Sequence, residues 1–253
     1  MLVDYHIHVL GHRGGCYTQE LLEEYFAAAQ AQGIFEIGLA DHDEYVTGLD
    51  QKTIEEALAP FPRLNVRLGL EISYWPGREK EIEALAYRLD FDYLIGSVHH
   101  INNWMFDHPA FKAAYSEWDF TRLYQTYFEI IEKLALCGCF DVVGHFDLIK
   151  IFGYRPAGDI IFLALPALMA IREAGLTVEV NTAGLYKPCG EIYPAEGLLA
   201  KCYDLNIPVT LGSDAHNSCE VGRDLARARD LLYRIGYRKL ATFSRRRRFL
   251  NHL

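Results

Sequence analysis

Several ionisable side chains in this sequence are spaced as a chemical site requires. The segment "MLVDYHIHVLGH" carries Asp4, His6, His8 and His12. On an extended strand the i, i+2, i+4 spacing of Asp4, His6 and His8 sends all three to one face. One strand then aims two imidazoles at a common point, with a carboxylate behind them. His42 follows in "EIGLADHDE", Glu71 in "VRLGLEISY", His99 and His100 in "YLIGSVHHI", His145 in "DVVGHFDLI", and Asp214 with His216 in "PVTLGSDAH". Brought to one place without counter-charge, such groups would repel one another or take up protons. Divalent metal ions remove that conflict, and imidazole with carboxylate donors suits zinc, manganese or iron. One ion takes roughly four to six ligands, so the set implies two or three ions.

The positions of these residues dictate the elements that must hold them. Each lies in or just after a short run rich in Val, Ile and Leu, the composition of strands buried on both faces. With "LTVEVNTAG" the runs number seven. Between them lie segments of 3.6-residue periodicity: "TQELLEEYFAAAQAQG", "EKEIEALAYRL", "DFTRLYQTYFEIIEKLALCG", "GDIIFLALPALMAIREAG", "AEGLLAKCYDLN" and "CEVGRDLARARDLLYRIG". The first opens on Thr18, a good N-cap, and stops at Gly33. Pro166 is expected to kink or restart its helix. Alternating strand and helix predicts a parallel α/β architecture. Nine of the ten histidines, all but His252, fall at or beyond the carboxyl end of a strand, as active-site residues of a barrel do. An open doubly wound sheet would gather ligands at one switch point only, and no strand is followed by G-x-G-x-x-G. The expectation is a TIM-barrel-like, seven-stranded barrel forming a single domain over residues 1–253.

Composition narrows the partners. A net charge of −9 and a pI near 5.6 argue against a nucleic-acid partner. They leave room for a small phosphorylated substrate, because bound metal would reverse the local charge. No apolar run reaches the roughly 18 residues that span a bilayer, and no targeting segment precedes the first strand, so a cytoplasmic protein without a membrane partner is expected. The six cysteines contain no C-x-x-C pair and read as reduced thiols. The "RRRR" run, Arg245 to Arg248, reads as a solvated or helix-pairing segment. Oligomeric state is not legible.

Taken in order, H-x-H (His6, His8), the loop His12, D-H (Asp41, His42), G-L-E (Glu71), G-S-V-H (His99), V-G-H-x-D (His145, Asp147) and G-S-D-A-H (Asp214, His216) resemble the PHP family, named for polymerase and histidinol phosphatase. The resemblance runs from residue 2 to about residue 225. Within the family, "GSVHHINNWMFDHP", "DVVGHFDLIKIFG" and "VEVNTAGLYKP" resemble segments of the histidinol-phosphate phosphatases. It implies a distorted (β/α)7 barrel with a trinuclear metal site. His6, His8, Glu71 and Asp214 would hold a first metal, and His99, His145 and the other oxygen of Glu71 a second. His12, His42 and His216 would hold a third, although only three residues separate His8 from His12.

The activity so implied is hydrolysis of L-histidinol phosphate, in histidine biosynthesis, by metal-activated hydroxide at ions bridged by Glu71. Lys187 and Arg155 are candidate phosphate binders. Asp107 and His108 are candidates to protonate the leaving oxygen or hold the substrate amine. Asn181 shares a strand face with Glu179 and is placed to orient a water or substrate. Asp4, Asp41 and Asp147 read as acceptors that fix imidazole tautomers, and His100 as the non-ligand of its pair. The rival readings are a PHP-type phosphomonoesterase, nucleotide phosphodiesterase or phosphotyrosine phosphatase of other specificity, an amidohydrolase, and a metal-bound scaffold without activity. An amidohydrolase would have eight strands and end in a lone Asp, and a scaffold would have lost ligands.

Overall fold

In the computed structural model, which describes residues 2–253, the first four strands are β1 (Val3–Ile7), β2 (Glu36–Leu39), β3 (Asn65–Ser73) and β4 (Tyr93–Ser97). A small hairpin, β5 (His100–Ile101) and β6 (Trp104–Met105), follows β4. Then come β7 (Val142–Val143), β8 (Thr177–Asn181) and β9 (Val209–Gly212). Leaving out that hairpin, the seven remaining strands form one parallel sheet whose spatial order follows the chain. Its two edges meet at the carboxyl rim, where the His8 N–H donates to the Ala215 carbonyl at 2.8 Å. The result is a nearly closed, distorted barrel. Seven helices surround it: α1 (Gln19–Ala31), α2 (Gln51–Leu58), α3 (Glu79–Ala86), α4 (Phe120–Leu136), α5 (Ile160–Ala174), α6 (Glu196–Asp204) and α7 (Leu225–Ile235).

Local chemistry accounts for these elements. The Thr18 hydroxyl accepts from the Leu21 N–H at 3.2 Å and caps α1, and Leu22, Tyr25, Phe26 and Ala29 form its buried stripe. Spacing of i, i+3, i+4, i+7 turns these four toward the sheet, and fully burying a large apolar side chain contributes about 1.5–3 kcal/mol. Helix α5 runs through Pro166 without restarting. Both Pro166 and Phe162, whose carbonyl Pro166 cannot bond, lie on the exposed face, where the freed acceptor is open to solvent.

Two elements depart from the sequence reading. Helix α2 was not anticipated, and the arginine run, solvent-exposed as expected, belongs to an ordered hairpin that was not. The run forms the turn and second strand of an antiparallel hairpin, β10 (Lys239–Ser244) and β11 (Arg247–His252), with β10 lying against β9. Arg246 pairs with Asp141 and donates to the Cys139 carbonyl, while the Phe243 N–H donates to the Tyr5 hydroxyl at 2.9 Å. The hairpin thus covers the end of the barrel opposite the rim. There Tyr93 fills the interior. A Cβ on Gly38 would lie 2.0 Å from its hydroxyl oxygen, and one on Gly69 2.4 Å from its Cζ. With that floor solid, the cavity can open only at the carboxyl rim.

Candidate metal centre

The first strand does not alternate as expected. Its register against β2 runs Val3–Glu36, Asp4–Ile37, then Ile7–Leu39, so one extra residue is inserted between Asp4 and Ile7. Such a bulge reverses the facing of everything beyond it. His6 and His8 stay together on the inner face, and Asp4 goes to the other. Its carboxylate takes the Ser213 N–H at 2.8 Å, the Ser213 hydroxyl at 2.5 Å and the Gly222 N–H at 2.9 Å. Asp4 therefore ties β1 to the loop after β9 and holds no imidazole.

Three overlapping groups of donors converge at the rim: His6, His8 and Glu71; Glu71, His99 and His145; and His8, His42 and His216. Glu71, from β3, is the hub. Its Oε1 lies 3.0 Å from His145 Nε2, 3.4 Å from His6 Nε2 and 3.6 Å from His99 Nε2, and its Oε2 lies 2.9 Å from His42 Nδ1 and 3.6 Å from His8 Nε2. Asp214 Oδ1 joins the first group, 3.3 Å from His8 Nε2 and 3.9 Å from His6 Nε2. Asp214 sits at φ 56°, a left-handed conformation that Asp tolerates better than most residues. His12 is exposed, and its ring centroid is 4.6 Å from that of His216 and 5.2 Å from that of His42.

The electrostatics are those of imidazole and carboxylate donors crowded into one buried space. Burial opposes the charged form of His6, yet Glu179, Glu71 and Asp214 overcome it and hold its pKa well above the ordinary value. Burial, with His42, His216 and His6, drives His8 well below it, and burial brings His99 down to about 3. Burial works against the charge on Glu71, but four surrounding imidazoles hold its carboxyl far below the usual range. The nitrogens His6 Nε2, His8 Nε2, His42 Nε2 and His216 Nε2 are buried without a hydrogen-bond partner among the described residues. An unpaired buried polar atom is costly, and several on converging rings fit a site built for cations with nitrogen and oxygen ligands.

The surrounding acceptors are not the aspartates expected from the sequence. Asp41 takes the Leu10 N–H at 2.8 Å and the Tyr17 hydroxyl at 2.7 Å, and Asp147 pairs with Lys150 at 2.8 Å. Instead, His6 Nδ1 lies 2.6 Å from Glu179 Oε1, His99 Nδ1 2.8 Å from the Ser73 hydroxyl, and His216 Nδ1 3.0 Å from the Asp214 carbonyl. Ser73 lay outside the sequence reading. Its signal was its place two residues after Glu71 on the same strand face.

The remaining candidates are placed as follows. Asn181 donates to Glu179 at 3.1 Å and to Asp214 at 3.3 Å, so it braces a donor. Asp107, after the β5–β6 hairpin, has a buried Oδ1 without a partner, and burial raises its pKa to about 6 against the influence of His145. His108 is exposed and does not join this cluster; its Nδ1 accepts from the Ala110 N–H at 3.2 Å and caps the following helical turn. Arg155 is paired with Glu191 at 3.1 Å and with two carbonyls. Lys187 is exposed. His100 lies apart from the three groups, its ring edge-on to Trp75.

Comparison with known proteins agrees with this geometry. The PHP domain family matches residues 4–183. A probable histidinol-phosphatase of Deinococcus radiodurans is 43% identical over 185 residues, covering 73% of this chain and 70% of that one. The histidinol-phosphatase of Lactococcus lactis is 28% identical over 271 residues, covering 96% and 94%. The crystal structure of a histidinol phosphate phosphatase from Lactococcus lactis, complexed with zinc, L-histidinol and phosphate, superposes with a TM-score of 0.79 at 22% identity over 98% of both chains. No helix among the described residues is long and apolar enough to cross a membrane.

Proposed function

The chain belongs to the PHP family, and on that premise we propose that it is a metal-dependent phosphatase converting L-histidinol phosphate to L-histidinol and phosphate. The observation that carries the reading is the overlap of three donor groups through Glu71 and His8, with the Nε2 atoms of His6, His8, His42 and His216 buried and without a partner among the described residues. His6, His8, Glu71 and Asp214 would hold one ion, His99, His145 and Glu71 a second, and His42 and His216 with His12 a third, each zinc, manganese or iron. Ions so bound would supply Lewis acidity and a water of lowered pKa.

The protein's own part is positioning and proton traffic. The bracing of Asp214 by Asn181 keeps the donors fixed while a phosphate monoester is bound, so little reorganisation is needed at the moment of reaction. As the bond from phosphorus to the ester oxygen breaks, that oxygen needs a proton, and Asp107 is the carboxyl suited to give it. Burial keeps Asp107 protonated to higher pH than an exposed aspartate, the pattern of a general acid. A phosphate-binding role would require Arg155 to leave Glu191 or the exposed Lys187 to fold inward.

The test is phosphate release by zinc- or manganese-loaded protein from L-histidinol phosphate, with simple phosphomonoesters and a dinucleotide alongside. We expect kcat/KM for histidinol phosphate to exceed the others by at least about a hundredfold, roughly 2.7 kcal/mol of transition-state preference. Equal turnover of another ester would retain the metal centre and reassign the substrate.

A further inference from the structure

We infer that Glu179, which lies outside the ligand set, is a positioning residue that sets the metal affinity of the His6 side of the centre and locks that side to the His145 side. The inference rests on the metal-centre reading above. Glu179 is on β8, completely buried, and each of its carboxylate oxygens serves a different group of donors. Oε1 faces His6 Nδ1 at 2.6 Å. Oε2 accepts from the His145 backbone N–H at 2.8 Å and from Asn181 Nδ2 at 3.1 Å, and the same Asn181 nitrogen reaches Asp214 at 3.3 Å. One carboxylate thus connects residues of β1, β8 and the segments after β7 and β9, beneath the point where Glu71 joins the groups from above.

Its effect on His6 is specific. A proton on Nδ1 shared with a carboxylate leaves the lone pair on Nε2, which is the buried nitrogen without a partner. The negative charge makes that lone pair a stronger donor. His42 shares the pattern, with Nδ1 2.9 Å from Glu71 Oε2, but that carboxylate is itself a donor of the centre; the other rings do not share it. His99 has a neutral hydroxyl at Nδ1 and His216 a backbone carbonyl, and His8 Nδ1 has no partner among the described residues.

The neighbouring strand is built around this carboxylate. A Cβ on Gly212 would lie 2.0 Å from Glu179 Oε1 and 2.7 Å from His6 Cβ. Gly212 has no positive φ among the described residues, so its backbone would admit another residue, and the space for Glu179 is what requires glycine. Glu179 and Gly212 are therefore one device, and substitutions at either should disturb the same metal.

Wild type, Glu179→Gln and Gly212→Ala would be stripped of metal, titrated with zinc against a chromophoric chelator, and melted with and without zinc. In Glu179→Gln the charge at His6 is lost, and the amide has one acceptor for two places: with nitrogen at the Oε2 position the His145 N–H and Asn181 lose their acceptor, and with nitrogen at the Oε1 position it donates to His6 Nδ1 and moves the ring proton to Nε2. We expect zinc binding at one site to weaken by about 10–100-fold in Glu179→Gln, with Gly212→Ala moving the same way. The rise in Tm on adding zinc should shrink in both, because that rise follows affinity. A role confined to packing would lower both melting temperatures equally and leave the rise intact. Zinc affinity within about twofold of wild type, with an unchanged rise, overturns the inference; if Glu179→Gln does not fold, Glu179→Asp and Gly212→Ala decide by the same criteria. Wild type that binds no zinc overturns the metal-centre reading itself, a separate outcome.

Discussion

Asp107 shows how one residue's environment selects its chemistry. A carboxyl raised to about 6 by burial, with an inner oxygen that has no partner among the described residues, keeps its proton to higher pH than an exposed aspartate, as the proposed general acid must. Asp107→Asn should lower kcat on histidinol phosphate by about 10²–10⁴-fold, the usual worth of a general acid. On p-nitrophenyl phosphate, whose leaving group needs no proton, the loss should stay below about tenfold. The pH profile has a definite sign. A group that acts protonated makes kcat/KM fall as pH rises through its pKa, which burial raises, and the variant should lose that falling limb. A rising limb near the same pH, with the loss in KM rather than kcat, would make Asp107 the group that holds the substrate's ammonium. Asp107 was legible as a candidate because it follows an aromatic run after a ligand strand. Asp4 was misread because a bulge reverses facing without any mark in the sequence. Glu179 was noticed only as a strand-face companion of Asn181, since a carboxylate that touches an imidazole's far nitrogen has no spacing rule of its own.

Strands were legible where both burial and position spoke, and hairpins were not. The seven parallel strands announce themselves as apolar runs, but β10–β11 turns through Arg245 and Arg246, both at positive φ, where Asn-Gly is the usual signal. The turn is held instead by bonds to Asp92, at 2.9 Å from the Arg245 N–H and 2.8 Å from the Arg246 N–H, contacts far apart in sequence. Helix α2 was missed although it equals α3 in length and carries a capping Asp50 at its start, so its signal was present in "DQKTIEEAL". The glycines of β2 and β3 carry a message that only packing decodes, namely that Tyr93 occupies their side-chain space. Gly69→Ala should destabilise the barrel by about 1–3 kcal/mol through overpacking, read from urea denaturation. In a Tyr93→Leu background, which removes the atoms the new methyl strikes, the same substitution should cost at least about 1 kcal/mol less. Equal penalties in both backgrounds would mean that Gly69 serves the strand's backbone and not the tyrosine.

The whole barrel is a device for bringing distant strand ends to one point, and that convergence was readable because the ligand types recur at the same place in each unit. Its apolar body and its rim are physically separable. The core of buried Leu, Ile, Val, Tyr and Phe side chains lies below and around the donors, so the fold does not depend on metal as a zinc finger does. The rim does. Without cations the chain keeps Glu71 and Glu179 and several unpartnered imidazole nitrogens in one enclosed space. Metal binding to the folded chain alone adds RT ln(1 + [L]/Kd), about 2.7 kcal/mol per site at a hundredfold excess over Kd. For a protein of this size 1 kcal/mol moves Tm by roughly 2–4 °C, so each filled site should raise it by about 5–11 °C. Stripping with a chelator should therefore abolish activity and lower Tm by at least one such step, while far-UV circular dichroism at 25 °C stays that of the folded barrel. Readdition of zinc or manganese should restore both. An unchanged Tm after elemental analysis has shown the ions gone would mean the donors stabilise one another without metal, and the centre would have to be reassigned as a proton-sharing cluster.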